Sequence, residues 1–493
     1  MASLKEDSTT NKKMHIQPHQ HRLPLSLAIP TKVQQPSILI ESTTTTSTAS
    51  RLMRRLFGIL FLLHLILITA LVIFVTVRGL RSGHFHTVKW YPPLLTSTAC
   101  AAVLSLLWQW LINLSTSKAF KTAFWLSPLL TCAVALFLLT IGSSVSLVVG
   151  IAALLCSVVL SLYGCWASPR FEYAIRVLKI SSADSPPPKA TSLILLSMLV
   201  GFLYSCLLVT GVGGARARWD RFAALFITII LLSLAWTMQV MRNTMLASIS
   251  RVKYMYLGYG IDIDAHVALR DTIRHLMGSV SIGSVLVPVL GIIWGSARAM
   301  RLIAGKDQIS IIKHFFVMLM FLDIFPILKK VSTLSSLVAG DTDEFMFSCA
   351  NCYAGVASTL VMYGNRWGFV YVGVYNKGFM QASMDVWNMF RRTELEILID
   401  SDLTGSFCFL SGVAVGAICS LLSGSWALAV HKSYTTELSL YAFFIGYFMS
   451  RIAMAWQQAC LTAYYVAYAE NPQNPRFDST IPTRIQELQR VQV

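Results

Sequence analysis

The sequence predicts an all-α polytopic bundle of about ten membrane-spanning helices, and three observations carry that prediction. First, 55% of the 493 residues are hydrophobic and only 13% are charged, whereas ordinary globular domains carry about 25% charged residues. Second, the apolar residues gather into runs of about twenty, the length of helix that crosses a hydrocarbon core. Third, the Lys and Arg behind the net charge of +17 sit in short stretches between those runs. That pattern belongs to membrane orientation. A nucleic-acid surface would gather the charge into one patch, so membrane lipid is an expected partner and nucleic acid is not.

Taken in order, residues 1–50 are rich in Ser, Thr, Gln, Pro and Lys and have no apolar period. They cannot bury enough surface to offset their ordering entropy, so a disordered cytosolic tail is expected. No apolar run leads it, so no cleaved signal peptide is expected. Arg51, Arg54 and Arg55 precede the first run, 57–77, and hold its start in the cytosol. Further spans are expected at 94–114, 123–143, 145–166, 190–211, 222–241, 276–297, 310–328, 405–425 and 441–468. They make a transmembrane domain of 51–470 with both termini inside. Basic residues favour the inward loops, although the outer loops are themselves basic. Within 345–404 a re-entrant or amphipathic cytosolic segment is expected, because 345–363 is apolar yet polar along one side through Cys352 and Tyr353. Pro186, Pro187 and Pro188 mark a stiff loop. The prolines of Asn471–Pro475 end the last helix, leaving 471–493 as a cytosolic tail.

Catalytic chemistry finds little support. Most of the ten cysteines lie inside apolar runs and read as small buried hydrophobes. Cys349 and Cys352 form a lone CxxC without the two further ligands that zinc requires. No phosphate loop, HExxH, GxSxG or dinucleotide element is present. Asp262, Asp264 and His266 are the one tight polar set, and they read as a solvated loop. No enzyme activity, cofactor or metal is expected.

The stretch Asn365–Gly416 begins aromatic and glycine-broken, turns charged and amphipathic, then becomes a small-residue apolar run. Asp400 and Asp402 abut that charge-free run, as they would at a bilayer boundary. The motif NRW-(aromatic)-VYVG, the amphipathic helix and the following D-L-x-G run resemble the C-terminal part of the choline transporter-like family. SLAWTMQVMRN, Ser233–Asn243, is similar to that family's WTxxVxxN helix end, and GSVSIGS, Gly278–Ser284, to its glycine–serine helix. The matches come in the family's order over roughly 190–475 and resemble its shorter plant and fungal members. The resemblance implies a multi-pass plasma-membrane solute carrier for choline or a related small organic cation, with an endomembrane as the alternative location. Two departures stand out: TMLASISRV follows Asn243, and Asn376-Lys377 replaces a more usual glycine.

Choline offers no N–H to donate, so a protein holds its charge mainly against aromatic faces. The substrate-binding candidates are Trp236 with Asn243 first, then Tyr204, Trp294 and Trp456. Many other Trp and Tyr residues read as interfacial anchors. Asn243 can cap a helix end or bond a choline hydroxyl. Gly405, Gly412 and Gly416 share a helical face, and Gly278, Gly283 and Pro288 punctuate another run. Such faces serve static packing or helices that rock against each other, and interrupted helices favour substrate sites. His64 reads as a helix-packing group, and Asp323 as a partner of Arg451 or a surface residue near Lys329 and Lys330. The rival reading is a non-transporting scaffold or lipid-interacting protein on the same fold.

Overall fold

The computed structural model describes residues 48–81, 87–183, 188–217, 222–304, 352–353, 355–400 and 402–492. Among them there are helices and turns but no strand. In order the helices are α1 (Thr48–Leu80), α2 (Thr87–Leu114), α3 (Thr116–Ile141), α4 (Ser144–Ala167), α5 (Phe171–Ala183), α6 (Pro188–Ala217), α7 (Ala223–Tyr259), α8 (Ala265–Asp271) and α9 (Met277–Ala304). They continue as α10 (Gly368–Tyr375), α11 (Phe379–Arg392), α12 (Glu396–Asp400), α13 (Thr404–Val430), α14 (Thr435–Ala453), α15 (Ala455–Glu470) and α16 (Thr480–Gln492).

Among the described residues eight helices are long and apolar enough to cross a membrane, and they lie over eight of the expected spans. A ninth is the pair Lys432–Ala453 and Ala455–Glu470, which bends by 43°. The expected span 310–328, with Asp323, Lys329 and Lys330, lies outside the described residues, as do the tail 1–47 and Cys349.

Three expectations are corrected. The run 222–241 does not end near Asn243: α7 continues to Tyr259 and stops where Gly260 adopts φ +73, a left-handed conformation open to glycine. Arg242, Arg251 and Lys253 are therefore buried helix residues and not loop charges. Pro288 does not interrupt its helix, because α9 runs through it from Met277 to Ala304. The break lies instead at Met454, between α14 and α15, where neither Gly nor Pro announces it.

The core sits where α7 meets α15. Every residue of α15 from Ala455 to Ala469 is buried, and α7 is almost continuously buried from Arg242 to Leu257. Outward faces of α1, α4 and α6 expose leucine and valine, as lipid-facing helices do. Close approach sets two crossings. A Cβ on Gly79 would lie 2.6 Å from Gly214 Cα where α1 crosses α6, and one on Gly278 would strike the backbone carbonyl of Arg54 where α1 crosses α9. Small residues at such points let backbones touch, and van der Waals packing then holds them together. The segment after Pro475 is no loose tail: Ile481 is fully buried, and Asp478 accepts from Tyr464 at 2.8 Å.

Candidate functional site

Trp236 and Tyr204 come together. The Trp236 ring on α7 lies 4.7 Å from the His64 ring and 5.5 Å from Phe61, both on α1. Ser233, one turn before it, and the adjacent Thr237 face Tyr204 on α6, whose hydroxyl is 2.7 Å and 3.1 Å from theirs. Ser233 is also 2.9 Å from His64 Nε2, so three helices share one polar knot. His64 is thus a partnered packing group, as its sequence context suggested. The Trp236 Nε1 hydrogen has no partner. A groove of about 340 Å³ runs beside the ring, lined by Leu60, Leu63, His64, Leu67, Ile68, Leu71, Ile229 and Trp236. Its aliphatic walls are lipid-facing leucines, with Leu67 60% exposed, so it opens sideways between α1 and α7.

Two helical turns along α7, Asn243 is fully buried in mid-helix and caps nothing. Its amide donates to Ser284 Oγ on α9 at 3.0 Å and accepts from Arg242 Nη1 at 3.1 Å. The second and third sequence motifs therefore meet through this bond. Arg242 also donates to Gln458 on α15. Trp456, two residues before Gln458, is buried in the core at the start of α15. Trp294 is not part of this group. It lies further along α9, packed with Ile293, Ala297, Tyr353 and Ala357.

The NRW motif forms a hub. Asn365 Oδ1 accepts from the Gly368 N–H at the start of α10 at 3.1 Å, and its amide donates to the Ser383 carbonyl on α11 at 3.0 Å. Arg366 pairs with Asp402 at 2.5 Å, tying that motif to the D-L-x-G run. Trp367 packs edge-on against Phe390 and Tyr465, each 5.6 Å away. The helix ends at Asn376, whose φ of +52 explains why Asn stands where glycine is more usual. Arg54 Nη1 donates to the Asn376 carbonyl at 2.9 Å, joining α1 to the hub.

Beyond it lies a cluster that sequence reasoning missed. Glu470 accepts from Tyr254, from Tyr371 at 2.5 Å and from Tyr375 at 3.0 Å. Lys377 sits over the Tyr371 and Tyr375 rings at 5.4 Å and 5.6 Å and pairs with Asp385 at 2.7 Å. Burial first, and then the Glu470 charge, push the Tyr371 and Tyr375 hydroxyls well above the usual tyrosine range. Tyr371 and Tyr375 lie one turn apart, but Tyr254 and Glu470 come from distant helices, so no local pattern announced the cluster.

The glycine candidates divide. Gly412 packs on Tyr447 and Arg451, and Gly416 on Phe443, all on α14. Gly405 lies instead against Arg366, so the three do not share one contact. Gly283 packs under Phe369 and Phe379, each 2.7 Å from an added Cβ. Pro288 is exposed. The Gly211–Gly214 contacts with α1 and Tyr91 were readable in the GVGGA run and were missed.

Comparison with known proteins agrees with this geometry. Residues 94–473 match the family described as plasma-membrane choline transporter. The protein pns1 of Aspergillus fumigatus is 27% identical over 136 residues, 26% of this chain and 25% of its own length. The protein PNS1 of Mycosarcoma maydis is 22% identical over 248 residues, 48% of this chain and 41% of its own. The chain thus matches well under two thirds of these relatives' length. With the family pattern spanning most of the chain, and its three motifs meeting around α7, this polytopic membrane protein belongs to the plasma-membrane choline transporter family.

Proposed function

We propose that the chain carries choline or a related small organic cation across the plasma membrane, by alternating access or facilitated diffusion. The observation that carries the reading is the Trp236 ring, held edge-on by Phe61 next to His64 and Tyr204, beside a groove of about 340 Å³. An indole face attracts a quaternary ammonium with roughly 2 kcal/mol when desolvated. Tyr204 bonds from α6 to Ser233 and Thr237, beside Trp236 on α7. Asn243 is engaged by Arg242 and Ser284, so its role is to set the angle between α7 and α9. Trp456, in the core at the bend of α14 and α15, and Trp294, further along α9, stand outside the lining of this groove.

The test is uptake of labelled choline by cells expressing the protein. Wild type is expected to exceed empty cells, and Trp236→Ala to lose most of the excess while reaching the membrane in equal amount. Uptake equal to empty cells for wild type sinks the reading. The sideways opening of the groove among exposed leucines favours a second reading, in which an acyl chain of a lipid lies against Trp236. An endomembrane location fits that reading best, and fractionation of expressing cells decides it.

A further inference from the structure

Arg242, buried, and Arg451, half-buried, are two positive charges without a carboxylate partner among the described residues. Arg242 is 4% exposed, its Nη groups donate only to the neutral amides of Asn243 and Gln458, and its Nε hydrogen has no partner. Arg451 lies in the last turn of α14, with its Cδ against Gly412 and its buried Nη1 unpartnered. Gln458, which accepts from Arg242, and Arg451 stand on either side of the Met454 bend, so both guanidinium groups belong to that bend. The nearby Arg366 does not add to this excess, since Asp402 neutralises it. Among the described residues no ion pair satisfies either of the other two. Charges inside a membrane protein are expensive and are normally paired or functional.

The same place holds a helix start. α15 begins at Ala455 after the 43° bend, and Met454 before it supplies no side-chain cap. The uncapped N–H groups of a sixteen-residue helix present partial positive charge. Arg451 gains from the dipole of α14, whose C-terminal end it occupies, but that leaves its Nη1 hydrogens unbound. Broken helices inside transporters characteristically aim such ends at anionic groups.

We propose that the break between α14 and α15 is an oxyanion site, in which Arg242, Arg451 and the first turn of α15 hold a carboxylate or phosphate group. Guanidinium forks match those groups in geometry as well as in charge. The oxyanion is either a free anion or the acidic end of a zwitterionic quaternary amine. The inference does not rest on the transport reading, because binding is measured whatever the chain carries.

The experiment is thermal unfolding of the purified full chain in detergent at fixed ionic strength. It is titrated with sodium phosphate, sodium acetate, choline phosphate and choline chloride. Wild type is expected to show a saturable rise in midpoint with phosphate or acetate beyond the sodium chloride control, and any rise with choline chloride, which reports the Trp236 site, is expected to be unchanged in Arg451→Gln. Arg451→Gln, at a half-buried position, is expected to weaken the phosphate or acetate titration at least tenfold, and Arg242→Gln to abolish it. Tighter binding of choline phosphate than of phosphate identifies a zwitterion; equal binding identifies a free oxyanion. No saturable rise in wild type, or an unchanged titration in Arg451→Gln, overturns the site. So does a rise that appears only in Asp323→Asn, since an internal carboxylate would then be the partner.

Discussion

Replacing Gly278 with alanine tests how α1 and α9 are held together. The added methyl would strike the Arg54 carbonyl oxygen and lie 2.6 Å from its carbon and 3.1 Å from its Cα. All three are backbone atoms, so no rotamer change relieves the clash, and the helices must part by about 1 Å or more to regain ordinary contact. Overpacking of this kind costs about 1–3 kcal/mol where side chains absorb it, and a rigid backbone places this case at the top of that range. Alanine returns up to about 1 kcal/mol through helix propensity, leaving a net loss of about 2 kcal/mol. Gly291→Ala, on the same helix, is the control: nothing lies within 4 Å of its added Cβ, so only the favourable propensity remains. The assay is the apparent melting midpoint of both purified variants beside wild type. Gly278→Ala is expected to melt below wild type and Gly291→Ala at or slightly above it. Equal shifts, or a Gly278→Ala protein as stable as wild type, refute the close crossing.

At the Trp236 site, Trp236→Phe is expected to keep more choline uptake than Trp236→Ala, because a smaller aromatic face still attracts a quaternary cation; kinetics of labelled uptake separate them. At Asn376, with φ +52, Asn376→Gly is expected to be neutral within about 0.5 kcal/mol, and Asn376→Val to cost about 1–2 kcal/mol; melting curves check both. Tyr371 and Tyr375 have hydroxyls raised above their unfolded range. Their contribution is full below the unfolded tyrosine value of about 10 and is lost as pH rises through the folded values. Melting midpoints are therefore expected to fall above about pH 10, less steeply in the Tyr371→Phe, Tyr375→Phe double variant.

The apolar runs were legible because a bilayer enforces one rule at every depth: backbone groups bond within the helix, and side chains are greasy. Nine of the ten expected spans therefore have a helix or bent pair over them. The end of α7 was not legible. Arg242, Arg251 and Lys253 read as loop charges, and only their partners, among them Gln458 and Asp271, make a buried helix tolerable. Those partners lie on other helices, beyond any local pattern. The bend at Met454 has no Pro or Gly to mark it, so α14 and α15 read as one span. Trp236 and Tyr204 were readable as aromatic residues in spans, and their neighbourhood follows from α6 and α7 being joined by a short connection. The pairing of Arg366 with Asp402 was half readable, since both lay in motifs of the same resemblance.

The length of α7 has a mechanical consequence. Trp236 and Tyr254 stand eighteen residues apart on one uninterrupted rod, a separation of about 27 Å at 1.5 Å per residue. Pivoting that rod by about 5° at the indole would swing its far end by about 2 Å, enough to pull the Tyr254 hydroxyl off Glu470. A tilt of α7 about the indole is thus expected to be felt at the tyrosines around Glu470.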